Sequence, residues 1–234
     1  RAIDIDLKNP ITGLAMTGSS SGTAINVFLG MNDIGIGTDG GGSVLAPAIS
    51  LNLFSVIDPL LFHEERKKEN EKVSTDGISF MPSIGLISRN LKLLRELYLK
   101  LRVLEDSNQR VKILVDDKNI CELFNDEEVD FLTFEEKYTD ERLELIETTK
   151  RWLEKYDIIV SKEGPVDLNG FGDTVFGHFD DKTKKIQIDA NKGFLRIANM
   201  TNCFALTVPS GELSTAYVIL CDTNNVSAVR KSFI

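Results

Sequence analysis

The sequence predicts an α/β fold, a mixed β-sheet core flanked by helices, in one domain spanning 1–234. Three observations carry that expectation. Short apolar, β-branched runs such as "VKILV", "DIIVS" and "TAYVILCD" have strand length. Between them lie stretches with apolar residues every three or four positions, so helices alternate with strands along the chain. A length of 234 residues suffices for a sizeable core without a second domain. No internal repeat or low-complexity tract breaks the alternation.

The elements follow in chain order. Residues 19–29 read as a short buried helix, with hydroxyl residues at its start and Gly30 as its stop. "DIGIG" reads as a short strand and "LNLFSVID" as another, ending before Pro59. Residues 62–77, "FHEERKKENEKVSTDG", are highly charged and aperiodic, which suits an exposed loop or insertion. Residues 88–104 place Leu91, Leu94, Tyr98 and Leu101 at helical spacing, and Leu93, Leu97 and Leu104 widen that face. "VKILV" and "VDFLTF" follow as strands. Residues 139–156 read as a helix with a Thr-Asp cap, acids in its first turn and bases toward its end, the arrangement the helix dipole favours. After the strand "DIIVS" come "KKIQI" as a strand and "KGFLRIANMTN" as a helix. "FALTVPSG" and "TAYVILCD" are then strands, and "NNVSAVRKSF" is a closing helix.

A net charge of -9 opposes binding to a nucleic-acid backbone or an anionic lipid surface, and no apolar run is long enough to cross a membrane. The expected partners are small molecules or proteins, a homo-oligomer included. Cys121, Cys203 and Cys221 are odd in number, widely spaced and free of any CxxC pair. That pattern suggests neither a disulfide framework nor a zinc site, but buried thiols in a reducing, cytoplasmic compartment. No leader peptide is evident, and a start on Arg1 reads as a processed or fragmentary beginning.

Residues 17–43, "TGSSSGTAINVFLGMNDIGIGTDGGGS", hold two clusters of glycine and small hydroxyl residues. Ordering glycine costs more backbone entropy than ordering any other residue, so such clusters mark positive φ or a close approach to a ligand. Gly35, Gly37 and Gly40 spell G-x-G-x-x-G with Asp58 downstream, yet Gly41, Gly42, Ser43 and Pro47 intervene where a dinucleotide site needs an opening helix. A P-loop is excluded because no G-K-[ST] follows. A Ser-His-Asp hydrolase is disfavoured too, since His63 and His178 are the only histidines and no G-x-S-x-G elbow occurs. Serine chemistry would need another base, and lysine is the known alternative.

"NPITGLAMTGSSSGTA" followed by "GIGTDGGGSVLAPA" resembles the amidase signature family, whose hallmark is a G-G-S-S-[GS]-G run followed at fixed distance by G-[ST]-D-x-[GA]-G-S-[IV]-R-x-P-A. "SIGLISRNLKLLRELY", "YDIIVS" and "ANMTNCFALTVPSG" resemble later landmarks of the family, so the likeness runs from residue 9 to about residue 220. The resemblance implies a hydrolase of linear amide bonds acting on a small-molecule amide, with no cofactor and no metal. It implies Ser43 as nucleophile, Ser19 as proton relay beyond a cis Gly18-Ser19 peptide, and the amides of Gly40, Gly41, Gly42 and Ser43 as oxyanion hole. Thr38 and Asp39 would orient the turn, and Ser20 would be a secondary hydrogen-bonding group.

Two departures stand beside these matches. The family's base lysine precedes its serine loop by many tens of residues, which implies that an N-terminal segment of the family is missing from this chain. Lys8, in a polar stretch before Pro10, reads as a solvated surface lysine. The family's arginine after the nucleophile is replaced, since Val44 and Leu45 follow Ser43. Two readings therefore stand: an amidase-type hydrolase with its base lysine absent, or an amidase-fold protein that binds a ligand or partner without hydrolysing it.

Overall fold

A computed structural model of the chain describes residues 7–62, 71–74, 77–104, 110–124, 127–139, 141–170 and 180–232. His63 and His178, and much of the charged stretch 62–77, lie outside them. The described strands form an eight-stranded sheet in the order β1-β5-β2-β9-β10-β8-β6-β7 and a separate two-stranded pair. Here β1 is Ile34–Asp39, β2 Phe54–Asp58, β5 Ser83–Ser88, β6 Lys112–Val115, β7 Glu128–Phe131, β8 Ile158–Glu163, β9 Cys203–Pro209 and β10 Ala216–Asp222. The small pair joins β3 (Lys72–Val73) to β4 (Ser79–Phe80). Pairing is antiparallel from β1 through to β8 and parallel from β8 through β6 to β7. The sheet is thus mixed, as the sequence predicts.

Alternation along each central strand feeds two cores. Cys203 and Ala205 of β9, with Ala216, Val218 and Leu220 of β10, face one core. Their neighbours Phe204, Leu206, Ile219 and Cys221 face the other. This period of two makes both faces of the central strands apolar, so helices cover both sides of the sheet. The first face is covered by α1 (Ser21–Phe28), α2 (Leu45–Ser50) and α4 (Arg142–Leu153), together with the buried segment from 194 to 200. The second is covered by α3 (Leu91–Leu101) and α6 (Val226–Ser232). Among the described residues no helix is long and apolar enough to cross a membrane.

Most elements lie where the periodicity puts them, and the differences are local. Gly30 does stop α1, at φ +77°, but no side chain caps the N-terminus of that helix. In α3, Leu94 and Tyr98 are buried while Leu93 points outward; Asn90 caps the helix by accepting from the Leu93 amide at 3.1 Å. Thr139 does not cap α4; its hydroxyl donates to the Glu136 carbonyl at 3.2 Å, and Asp140 lies outside the described residues. Cys203 and Cys221 are buried, whereas Cys121 is only half-buried.

Two assignments are corrected. "KKIQI" belongs to a helix, α5 (Asp181–Asp189), not a strand. Its alternation rests on two isoleucines only, and the flanking Lys, Gln and Asp residues suit a helix with its acid in the first turn. "KGFLRIANMTN" forms only the short 3₁₀ turn Phe194–Arg196 within a buried loop. The amides of Gly193, Phe194 and Leu195 turn instead to the Glu163 carboxylate.

Asp58 fastens the second core. It is fully buried and accepts from the Tyr98 hydroxyl at 2.7 Å, from Arg102 Nε at 3.3 Å and from the Leu60 amide at 2.9 Å. The Thr223 hydroxyl also donates to it, so β2, α3 and the turn after β10 meet on one carboxylate. Its position after the glycine triplet therefore answers to packing, not to a ribose. Removing one donor leaves a buried charge short of a hydrogen bond: Tyr98→Phe should lower stability by about 1–3 kcal/mol, read as a lower urea midpoint at unchanged slope.

Candidate active site

At the end of β1 the chain turns through Gly40, Gly41, Gly42 and Ser43 into α2, and the turn is built around Asp39. That carboxylate is fully buried. Its Oδ1 accepts from the amides of Gly41 (3.0 Å) and Gly42 (2.7 Å), and its Oδ2 from those of Val44 (2.6 Å) and Leu45 (3.1 Å). Asn199 Nδ2 adds a fifth bond to Oδ1 at 2.7 Å. The Asn199 side chain is itself aimed by Ser83, whose hydroxyl donates to Asn199 Oδ1. Ser83 is the residue opposite Asp39 in the β1–β5 ladder. Burial pushes the Asp39 carboxyl above its ordinary range while the four amides pull it back. With five N–H donors around its two oxygens, the acceptor-only ionised form satisfies the turn best.

The first cluster comes to the second through one backbone bond. The Ser20 amide donates to the Ser43 carbonyl at 3.0 Å, just ahead of α1. The Gly18-Ser19 peptide is cis, as the resemblance implies. Ser19 is exposed, Ser20 and Ser43 are half-buried, and Thr38 is exposed on β1. The two hydroxyl loops are therefore tied together, with Ser19 and Ser43 both reachable from solvent. Lys8 is exposed, as expected for a surface lysine.

The glycines have packing reasons of their own. A side chain at Gly40 would run into the ring of Phe80. At Gly42, where φ is +98°, a Cβ would lie 2.6 Å from Leu195 Cδ1. The amides of Gly41 and Gly42 point to Asp39, which corrects the expectation that both face an oxyanion; Gly40 and Ser43 hold the amides of this turn that Asp39 does not take. Leu45, standing where the family's arginine would be, is fully buried in the first core.

A second buried acid organises the neighbouring loop. Glu163, at the end of β8, is fully buried and accepts from the amides of Gly193 (2.9 Å), Phe194 (2.6 Å) and Leu195 (3.4 Å). Burial pushes its carboxyl up to about 7, against the pull of Lys137 and of these amides. Lys137 is buried as well and donates to Asp116 at 2.6 Å and to Ser161 at 3.0 Å. Lys192, beside the Glu163 loop, is 6% exposed, and its Nζ donates to the hydroxyl of buried Thr17 at 2.7 Å. Sequence reasoning assigns no role to Asn199, Glu163 or Lys192. Asn199 lies inside a motif quoted above; the other two carry no motif, and a charged residue beside "GF" and "GP" is the only available signal.

By sequence, neither a family profile nor a curated protein matches the chain. Solved structures match it in fold. A bacterial aryl acylamidase of the amidase signature enzymes superposes with a TM-score of 0.59 at 14% identity, covering 92% of this chain and 64% of that one. Urea amidolyase from K. lactis gives 0.58 at 12% identity, covering 92% of this chain and 18% of the larger enzyme. A glutamyl-tRNA(Gln) amidotransferase subunit from Thermotoga maritima gives 0.53 at 15% identity, with 92% and 65% coverage. The fold is thus amidase-signature-like, and the chain spans less than two thirds of the length of these three structures.

Two outcomes follow from the buried acids. Asp39→Asn turns one acceptor oxygen into an amide nitrogen facing two N–H donors, so the turn should open at a cost on the order of 3 kcal/mol, seen as a drop in thermal midpoint. Glu163 has a folded-state value near 7, above its ordinary 4.5. The folded form therefore holds the extra proton, and the resulting stability is complete below pH 4.5 and lost as pH rises through 7. Glu163→Gln should flatten this loss, up to ~3 kcal/mol, in denaturation curves taken at pH 5 and pH 8.

Proposed function

We propose that the chain carries the serine centre of an amidase-type hydrolase that cleaves a carbon–nitrogen bond in a small linear amide. Ser43 is the nucleophile: its Oγ bonds to the acyl carbon, the carbonyl pair moves onto oxygen, and the C–N bond then breaks. Ser19 carries the proton between Ser43 and the rest of the site. The amides of Gly40 and Ser43 are assigned to the developing oxyanion, since Asp39 leaves these two unspent. Thr38 flanks the turn, and Ser20 fixes its distance from the first loop.

The observation that carries this reading is the Ser20 amide bonded to the Ser43 carbonyl, which ties one hydroxyl loop to the other. A carboxylate with five donors holds the far side of the same turn. The amide-cleaving proteins of like fold support the reaction class.

A second reading, a ligand-binding protein without hydrolysis, is favoured by one observation. Two of the amides expected to bind an oxyanion are occupied by Asp39. A serine-reactive fluorophosphonate separates the two. The parent should be labelled, Ser43→Ala should not, and Ser19→Ala should label about 100-fold more slowly or worse. Equal modification of parent and Ser43→Ala, read by intact-protein mass, removes Ser43 from the nucleophile's role and leaves the binding reading.

A further inference from the structure

The proposed chemistry needs a base, and the structure holds a basic group beside the relay loop. Lys192 comes from the far end of the sequence, is 6% exposed, and points its Nζ at Thr17 Oγ1 from 2.7 Å. Thr17 is buried and stands two residues before Ser19. The lysine's backbone is held in turn: the following three amides are gathered by Glu163, so the ammonium end is directed from a fixed base. Lys137, also buried, bonds Asp116 and Ser161 within the sheet, and Lys192 directs a hydrogen bond to a hydroxyl of the serine loop.

We propose that Lys192 is the proton acceptor of this site, working through Thr17. The inference rests on the reading of Ser43 as nucleophile. In its amine form Nζ accepts the Thr17 hydroxyl proton. As Ser43 Oγ bonds to the acyl carbon, its proton passes to Ser19, that of Ser19 to Thr17 and that of Thr17 to Nζ. The result is one new C–O bond, an oxyanion and a lysine ammonium. When the C–N bond breaks, the proton returns by the same hydroxyls to the leaving nitrogen, and the amine is restored. Lys192 does not touch the reacting atoms; its effect is transmitted through Thr17. Lysine suits this work because an ammonium, unlike a guanidinium, can give up a proton and act as an amine.

The test is the rate of fluorophosphonate labelling at Ser43 as a function of pH, in the full chain. Lys192→Met and Lys192→Arg should both label at least about 100-fold more slowly. Arginine keeps the cation and a donor for Thr17 but cannot give up its proton, so a purely structural role predicts near-parent labelling for that variant. Lys192→Ala should be rescued by ethylamine in proportion to its free-base concentration, an effect that lost packing does not produce. Thr17→Val, similar in shape without the hydroxyl, should slow labelling at least about 100-fold as well. Parent-like rates and pH profile in Lys192→Arg or Thr17→Val, with Ser43 still labelled, overturn the lysine's role and leave the nucleophile standing. A parent that takes no label at Ser43 overturns both. Thermal melts identify any variant that fails to fold, and the remaining variants then decide.

Discussion

A carboxylate taken out of water must be given hydrogen bonds, and at Asp39 that requirement shapes everything around it. Its two oxygens can only accept, so the chain supplies amides, and it does so by curling residues 41–45 around them. The curl brings Ser43 to a half-buried position at the rim. It also begins α2, whose Leu45 is drawn into the first core as its amide turns to the acid. Asn199 and Ser83 complete the shell from the loop before β9 and from β5. Loss of the acid would leave these donors facing one another, which makes the turn an all-or-none arrangement.

Glu163 repeats the same device on the neighbouring loop. It too is buried at a strand end and gathers consecutive backbone amides. The two acid-centred turns meet where Leu195 packs against Gly42, so neither shifts without pressing on the other. Tight packing of this kind transmits small displacements instead of absorbing them. Glycine is required at position 42 by that neighbour and by its positive φ, and at position 40 by the ring of Phe80.

The legible parts of the sequence are those whose physics is local. Strands β6, β8, β9 and β10 show themselves because alternate residues must enter different cores. Leu94 and Tyr98 give away α3 through their spacing of four. The cis peptide and the pairing of the two hydroxyl clusters are foreshadowed by a specific motif. The 192–202 segment reads wrongly as a helix because the group that diverts it, Glu163, lies about thirty residues earlier. The inward turn of the Gly41 and Gly42 amides is hidden for a related reason: the sequence offers the glycines but does not say which acceptor claims their N–H groups. Lys192 is hidden by distance, since nothing local in "NKGF" tells of Thr17.

That distance has a consequence for how the protein comes into being. Asp39 and Asn199 are separated by 160 positions, and Thr17 and Lys192 by 175. On the ribosome, the glycine turn and both serines emerge long before the residues that brace them. Contacts so remote along the chain are made late. The nascent polypeptide therefore carries its serines without their supporting shell until residues 192–199 have emerged, and assembly of the centre waits on the segment that leads into β9.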